Sequence, residues 1–292
     1  MPPLPGALEH QAQDLAARLP PLLVAAERIA ATLAQGVHGR RRTGPGETFW
    51  QFRAYQSGDP ATGIDWRQSA RSERMFVRET EWAAAQTVWL WRDASGSMAW
   101  RSAPELPTKR ERAELLVTAL GALLLRAGER LALLDGLMPP TAGNAALPRL
   151  AAALLAQAGA SGLPGPGAEL PRHASVVMAG DFLAPLDAID AAVRRLAAAG
   201  ARGHLLQVLD PAEETLPFEG RIRFTGLESE GDALVRRAED LRGAYVARLA
   251  AHRDGLAAIA RAAGWTFAAH HTDQPPHTAL LALHGVLSGG RG

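Results

Sequence analysis

Cysteine is absent from the 292 residues. The chain therefore forms no disulfide, offers no thiolate to zinc and has no cysteine nucleophile. Neither sign of charge predominates, since 31 basic and 30 acidic residues leave a net charge of +1. Bulk charge thus does not indicate a nucleic-acid or membrane partner. Lysine is almost missing as well, because Lys109 is the only one and every other basic residue is arginine.

Long apolar runs are absent as well. No stretch approaches the roughly 20 uncharged apolar residues that span a bilayer, and residues 1–6 lack the basic and apolar regions of a signal peptide. We therefore expect a cytoplasmic protein without a transmembrane segment. The apolar fraction of 47% is ample for a core.

Strands and helices are predicted to alternate from residue 86 onward. The predicted strands cover residues 87–91, 130–134, 175–179, 203–209 and 265–270, and the predicted helices cover residues 109–127, 147–157, 186–199, 232–263 and 277–287. This alternation favours an α/β fold with a mainly parallel sheet and helices on both faces. A short antiparallel strand over residues 137–141 would make 175–179 the fourth strand in an order 3-2-1-4-5-6.

The first part of the chain has a different pattern. A helix is predicted over residues 7–35, broken or restarted at Pro20 and Pro21, and two β-like segments follow at residues 48–53 and 74–78. We therefore predict an N-terminal helix with a small β-rich extension over residues 1–80, and an α/β domain over residues 81–292.

Acids and hydroxyls follow two of the predicted strands. Asp93, Ser95 and Ser97 form an Asp-x-Ser-x-Ser loop after strand 87–91, and Asp181 follows strand 175–179. Carboxyl ends of parallel strands lie at one edge of the sheet, so these oxygens can converge. Such ligands suit a hard cation, Mg²⁺ or alternatively Mn²⁺ or Ca²⁺. A helix-capping turn is the alternative interpretation, and the second strand-end acid favours the metal site.

Other functions stay open as alternatives. A metal-dependent phosphoester hydrolase would need a metal-activated water and a nearby base, and no base is evident in the loop. Neither Ser95 nor Ser97 has the Gly-x-Ser-x-Gly frame of a serine hydrolase. The three arginines Arg40, Arg41 and Arg42 could bind nucleic acid, but the balanced net charge favours a solvated loop or a patch for an acidic partner.

Three stretches before the Asp-x-Ser-x-Ser loop form a specific combination, namely Tyr55-Gln56-Ser57-Gly58-Asp59-Pro60, Ile64-Asp65-Trp66-Arg67 and Phe76-Val77-Arg78-Glu79. With that loop they make the chain similar to domain of unknown function family 58, over residues 36–292. In that family the signature precedes a von Willebrand factor type A-like domain.

The resemblance implies a von Willebrand factor type A-like, Rossmann-like sheet flanked by helices. The Asp93, Ser95 and Ser97 loop looks like the first part of that fold's metal-ion-dependent adhesion site, with Asp181 as its later acid. The site usually adds a threonine from a middle loop, for which Thr141 is the nearby candidate.

The resemblance also implies a function. It indicates a non-enzymatic binding module whose metal accepts a carboxylate from another protein. Family members are often encoded beside MoxR-type AAA+ ATPases. The expected role is therefore a metal-dependent adaptor in protein maturation or stress responses, with the ATPase or a client protein as partner and no nucleic acid.

Overall fold

The computed structural model describes residues 5–37, 49–56, 64–72, 74–80, 85–157, 162–165, 170–228 and 231–289. The chain divides into two compact units, one of residues 1–35 with 86–292 and one of residues 36–85. Arg40, Arg41 and Arg42 lie outside the described residues. The predicted division between residues 80 and 81 stays a prediction.

The described elements alternate along the chain. The strands are β1 Phe49–Ala54, β2 Phe76–Thr80, β3 Thr87–Arg92, β4 Arg130–Leu133, β5 Ser175–Gly180, β6 Arg202–Leu209, β7 Ile222–Thr225, β8 Asp232–Val235 and β9 Thr266–His271. The helices are α1 Pro5–Val37, α2 Trp66–Ser69, α3 Lys109–Arg126, α4 Ala146–Ala156, α5 Leu186–Ala198, α6 Pro211–Thr215, α7 Ala238–Ala262 and α8 Pro276–Gly289.

Five strands form a parallel sheet in the order β4-β3-β5-β6-β9. Numbered along the chain, this order is 2-1-3-4-5, so the strand order reverses between β3 and β5. The predicted α/β fold with a mainly parallel sheet flanked by helices is confirmed. In the smaller unit, β1 and β2 pair antiparallel.

Helices cover both faces of the sheet because its strands are apolar on both sides. Val88 and Leu90 of β3 pack in one core with α1, α3, α4 and α8. Trp89 and Trp91 pack in a second core with α5 and α7. Alternate residues of a strand point to opposite faces, so the two cores lie on opposite sides of the sheet.

The N-terminal helix differs from the prediction. Helix α1 continues through Pro20 and Pro21, although each proline lacks a backbone donor and costs about 3 kcal/mol inside a helix. Ala26, Ala30 and Leu33 of the same helix are buried in the core. This burial offsets the cost and keeps the second half of the helix on the domain.

Two further predictions were wrong. The helix predicted to start at residue 232 begins at Ala238, because residues 232–235 form β8 and pair antiparallel with β7. Residues 137–141 contribute only an isolated bridge from Thr141 to Leu131, since Pro139 and Pro140 have no backbone N–H for a ladder. Strand β5 is therefore third in chain order, and it pairs directly with β3.

Across the described ranges, none of the helices combines the length and the apolar character needed to cross a membrane.

Candidate metal centre

The candidate site lies where the strand order reverses. The backbone N–H of Asp93, just after β3, donates to the carbonyl of Ala179 in β5 at 2.8 Å. Asp181 is the residue directly after the end of β5. The two strands approach closely here, since a Cβ on Gly180 would lie 2.7 Å from Cβ of Asp93. Glycine at position 180 therefore lets both acids occupy the same edge of the sheet.

Four of the five predicted ligand residues are brought together. Oδ1 of Asp93 accepts a hydrogen bond from the backbone N–H of Ser95 at 2.8 Å, which folds the loop back over the strand end. The hydroxyls of Ser95 and Ser97 are 3.1 Å apart. The hydroxyl of Ser97 in turn donates to Oδ2 of Asp181 at 2.7 Å. The loop and the second strand end thus share one hydrogen-bonded cluster.

Burial gives this cluster unusual electrostatics. Asp93 is only 1% exposed, and burial, together with the nearby carboxylate of Asp181, raises its pKa to about 6. Hydrogen bonds from Ser95 oppose the shift. Asp93 therefore holds a costly negative charge near neutral pH, which a bound cation would stabilise.

Thr141 lies elsewhere. Its hydroxyl donates to the carbonyl of Pro139 at 2.7 Å, and its backbone bridges to Leu131. Leu131 pairs with Val88 near the start of β3, whereas Asp93 follows the end of that strand. The structure does not place Thr141 beside the other four residues.

Lys109 is a member of the site that the sequence did not suggest. Its ammonium donates to Oδ2 of Asp181 at 2.8 Å and forms a second ion pair with Glu213. Burial lowers the pKa of Lys109, but Asp181 and then Glu213 outweigh it and the net pKa is raised. The available signal was that this single lysine stands at the start of the first helix after the loop.

A third strand-end acid supports the lysine. Asp210 follows β6, and its Oδ1 accepts from the backbone N–H of Ala212 at 2.9 Å. Glu213 accepts in return from the backbone N–H of Asp210 at 2.9 Å, which completes a capping box at α6. Asp210 also accepts from the backbone N–H of Ser102 at 2.9 Å. Asp210 thus fixes the turn that carries Glu213.

The loop between β7 and β8 borders the site. The backbone N–H of Ser97 donates to Oε1 of Glu228 at 2.8 Å. A Cβ on Gly96 would lie 2.4 Å from the carbonyl oxygen of Leu227, so this contact requires glycine at position 96. Glu228 therefore adds a carboxylate next to the Asp-x-Ser-x-Ser loop.

Two arginines, the buried Arg92 and the half-buried Arg110, bind the backbone of the same loop. Arg92 donates to the carbonyl of Asp93 at 3.0 Å, and its guanidinium lies 3.6 Å from Glu114. Arg110 donates to the carbonyls of Ala94 and Ser95 at 3.3 and 3.1 Å. These bonds fix the loop backbone and leave the hydroxyls of the loop directed to the cluster with Asp181.

The donor set fits a small divalent cation. Neighbouring ligand oxygens of an octahedral Mg²⁺ site lie about 3.0 Å apart, which is √2 times the Mg–O distance of about 2.1 Å. The oxygen spacings of 2.7 Å and 3.1 Å within the cluster are hydrogen-bond distances, and they are close to that edge, so the same oxygens are near enough to share one cation. Among the described residues no group of three or more His, Cys, Asp or Glu side chains is arranged to hold a metal. The present cluster has two acids and takes its other oxygens from serine.

The chain matches known proteins over most of its length. The model of the family described as "Protein of unknown function DUF58" matches residues 51–255. Uncharacterized proteins of Mycobacterium bovis and Mycobacterium tuberculosis are 29% identical to it over 299 residues, covering 92% of this chain and 89% of theirs.

Two solved structures are also similar. Conserved hypothetical protein BatB of Bacteroides thetaiotaomicron has a TM-score of 0.39 at 16% identity, covering 70% of this chain and 98% of that one. An aerotolerance-related membrane protein of Bacteroides fragilis has a TM-score of 0.43 at 16% identity, covering 69% and 98%.

Proposed function

This chain belongs to the DUF58 family of proteins of unknown function, and from that premise we propose that it is a metal-dependent protein-binding adaptor without enzymatic activity. Its larger unit would be a von Willebrand factor type A-like domain. The observation that carries the proposal is the cluster beside Asp93 in which the hydroxyl of Ser95 contacts that of Ser97, and the hydroxyl of Ser97 donates to Asp181.

Asp93, Ser95, Ser97 and Asp181 would hold the cation. Mg²⁺ fits this all-oxygen set best, and Mn²⁺ and Ca²⁺ share its preference for oxygen. When bound, such a cation supplies a coordination position for a carboxylate of another protein. The residues of this chain contribute the rigid loop: Arg92 and Arg110 hold its backbone.

The proposed partner is a MoxR-type AAA+ ATPase, or a client protein that offers a carboxylate. The process would be protein maturation or a stress response. The location of the cluster at the strand-order reversal, where ligands bind in open α/β sheets, supports a binding role for this edge.

The raised pKa of Asp93 favours a second candidate, a metal-dependent phosphoester hydrolase. A carboxyl group whose pKa is about 6 is suited to proton transfer near neutral pH. The adaptor is preferred because Oδ1 of Asp93 already accepts from the backbone of Ser95 and the side chain is buried. Turnover of p-nitrophenyl phosphate with Mn²⁺, lost in Asp93→Asn, would replace the adaptor proposal with the hydrolase.

Metal-dependent capture tests the adaptor proposal. The immobilised protein is incubated with a MoxR-type AAA+ ATPase of the same organism, in Mg²⁺ and then in EDTA. We expect retention in Mg²⁺ only, and its loss in Ser97→Ala, which removes one hydroxyl of the cluster. The matched control is Ser102→Ala, which removes the exposed hydroxyl of another serine outside the cluster. Equal retention in Mg²⁺ and EDTA would contradict the proposal.

A further inference from the structure

Asp181 already has a cation beside it. Its Oδ2 accepts a hydrogen bond from Ser97 at 2.7 Å and from the ammonium of Lys109 at 2.8 Å. Its Oδ1 accepts from the backbone N–H of Leu183 at 3.3 Å. The same carboxylate oxygen therefore contacts both a hydroxyl of the candidate metal centre and a full positive charge.

The ammonium is fixed in this position. The side chain of Lys109 is 1% exposed, whereas a lysine ordinarily extends its charged end into water. Its backbone begins α3, where Thr108 and Glu111 form a capping box. Its second carboxylate, Glu213, is held by the backbone of Asp210. The lysine is thus anchored at both ends, and its departure would leave the buried Asp181 and the half-buried Glu213 without their ion-pair partner.

We propose that Lys109 sets the affinity of this metal centre, acting as a built-in counter-cation that keeps the binding of divalent cations weak. The ammonium neutralises part of the charge that would otherwise attract a metal, and it repels a second cation at short range. This inference rests on the proposed metal-dependent function and adds a role for a residue outside the Asp-x-Ser-x-Ser motif.

Metal titration of three proteins tests this role. Binding of Mn²⁺ is measured by calorimetry, and the thermal midpoint is recorded with and without Mn²⁺, for the wild type, Lys109→Met and the double variant Lys109→Met with Glu213→Gln. The double variant removes one positive and one negative charge together, so it keeps the net charge of the cluster and does not bury an unpaired Glu213. If Lys109→Met alone does not fold, the comparison of the double variant with the wild type tests the proposal.

We expect Lys109→Met to bind Mn²⁺ about tenfold or more tightly than the wild type, because a like charge close to the metal is removed. Its thermal midpoint should also rise more on addition of Mn²⁺. The double variant should bind more tightly than the wild type and less tightly than Lys109→Met.

The outcomes separate the two proposals. Binding in the wild type with unchanged or weaker affinity in both variants overturns the role of Lys109 and leaves the metal centre standing. Binding in the variants alone supports the role of Lys109 and contradicts metal binding by the wild-type protein. Absence of binding in all three overturns both.

Discussion

Asp93 should make the stability of the protein depend on pH in a direction opposite to that of most acids. Folding raises its pKa from 3.8 to about 6, so the folded state binds this proton more tightly than the unfolded state. As pH rises from about 4 through 6 the group ionises in the buried site, and the free energy of unfolding falls. Each pKa unit corresponds to about 1.4 kcal/mol, so the full cost near pH 7.5 is of the order of 3 kcal/mol.

Asp93→Asn isolates this effect. The amide oxygen can still accept from the backbone of Ser95, while the charge facing Asp181 disappears. In EDTA we expect the variant to be more stable than the wild type by about 1–3 kcal/mol at pH 7.5, with little difference near pH 4. Urea unfolding at pH 4, 6 and 7.5 measures this, with Asp187→Asn, which changes an exposed acid in the first turn of α5, as the matched control. A variant less stable than the wild type at pH 7.5, or a difference independent of pH, would refute the reasoning.

Three further predictions follow from individual contacts. Gly180→Ala would place a Cβ 2.7 Å from Cβ of Asp93. We therefore expect about 1–3 kcal/mol of destabilisation in urea unfolding and weaker metal binding by calorimetry. An unchanged free energy of unfolding and an unchanged metal affinity would contradict the close approach. Thr141→Ala should leave metal affinity within twofold, because its hydroxyl is bonded to Pro139; a large loss would make it a ligand after all. Glu228→Gln should change the thermal midpoint little, since the hydrogen bond of Glu228 to Ser97 is exposed and worth about 1 kcal/mol. The variant should bind the metal slightly more weakly, because a nearby negative charge is removed, and tighter binding would contradict this.

The strand ends of the site were predictable from local patterns. Apolar runs ending in Asp93 and Asp181 indicate buried parallel strands, and parallel strands bring their carboxyl ends to one edge. The pairing of β3 with β5 then places the two acids together. The fold class and the local motif were therefore sufficient to propose Asp93, Ser95, Ser97 and Asp181 together, although the predicted strand order was wrong.

Other features depended on tertiary contacts that spacing does not encode. Lys109 reaches Asp181 only because α3 packs on one face of the sheet and begins at the carboxyl ends of its strands. Leu234 continues the helical spacing of Ala238 and Leu241, yet it lies in β8 because residues 232–235 find a partner strand in β7. Thr141 was chosen as the threonine of a middle loop, but its bridge to Leu131 places it near the start of β3 and not at the end that carries Asp93. For residues 232–235 a partner strand overrode the local helical pattern.

The most direct test of the central claim is a count of bound metal. Titration of Mn²⁺ into the protein, followed by the electron paramagnetic resonance signal of free Mn²⁺, is carried out on the wild type, Asp93→Asn and the exposed control Asp187→Asn. The account predicts one bound equivalent in the wild type and the control, and none in Asp93→Asn. Binding that is equal in all three proteins, or absent from the wild type, would contradict a metal centre built on Asp93, Ser95, Ser97 and Asp181.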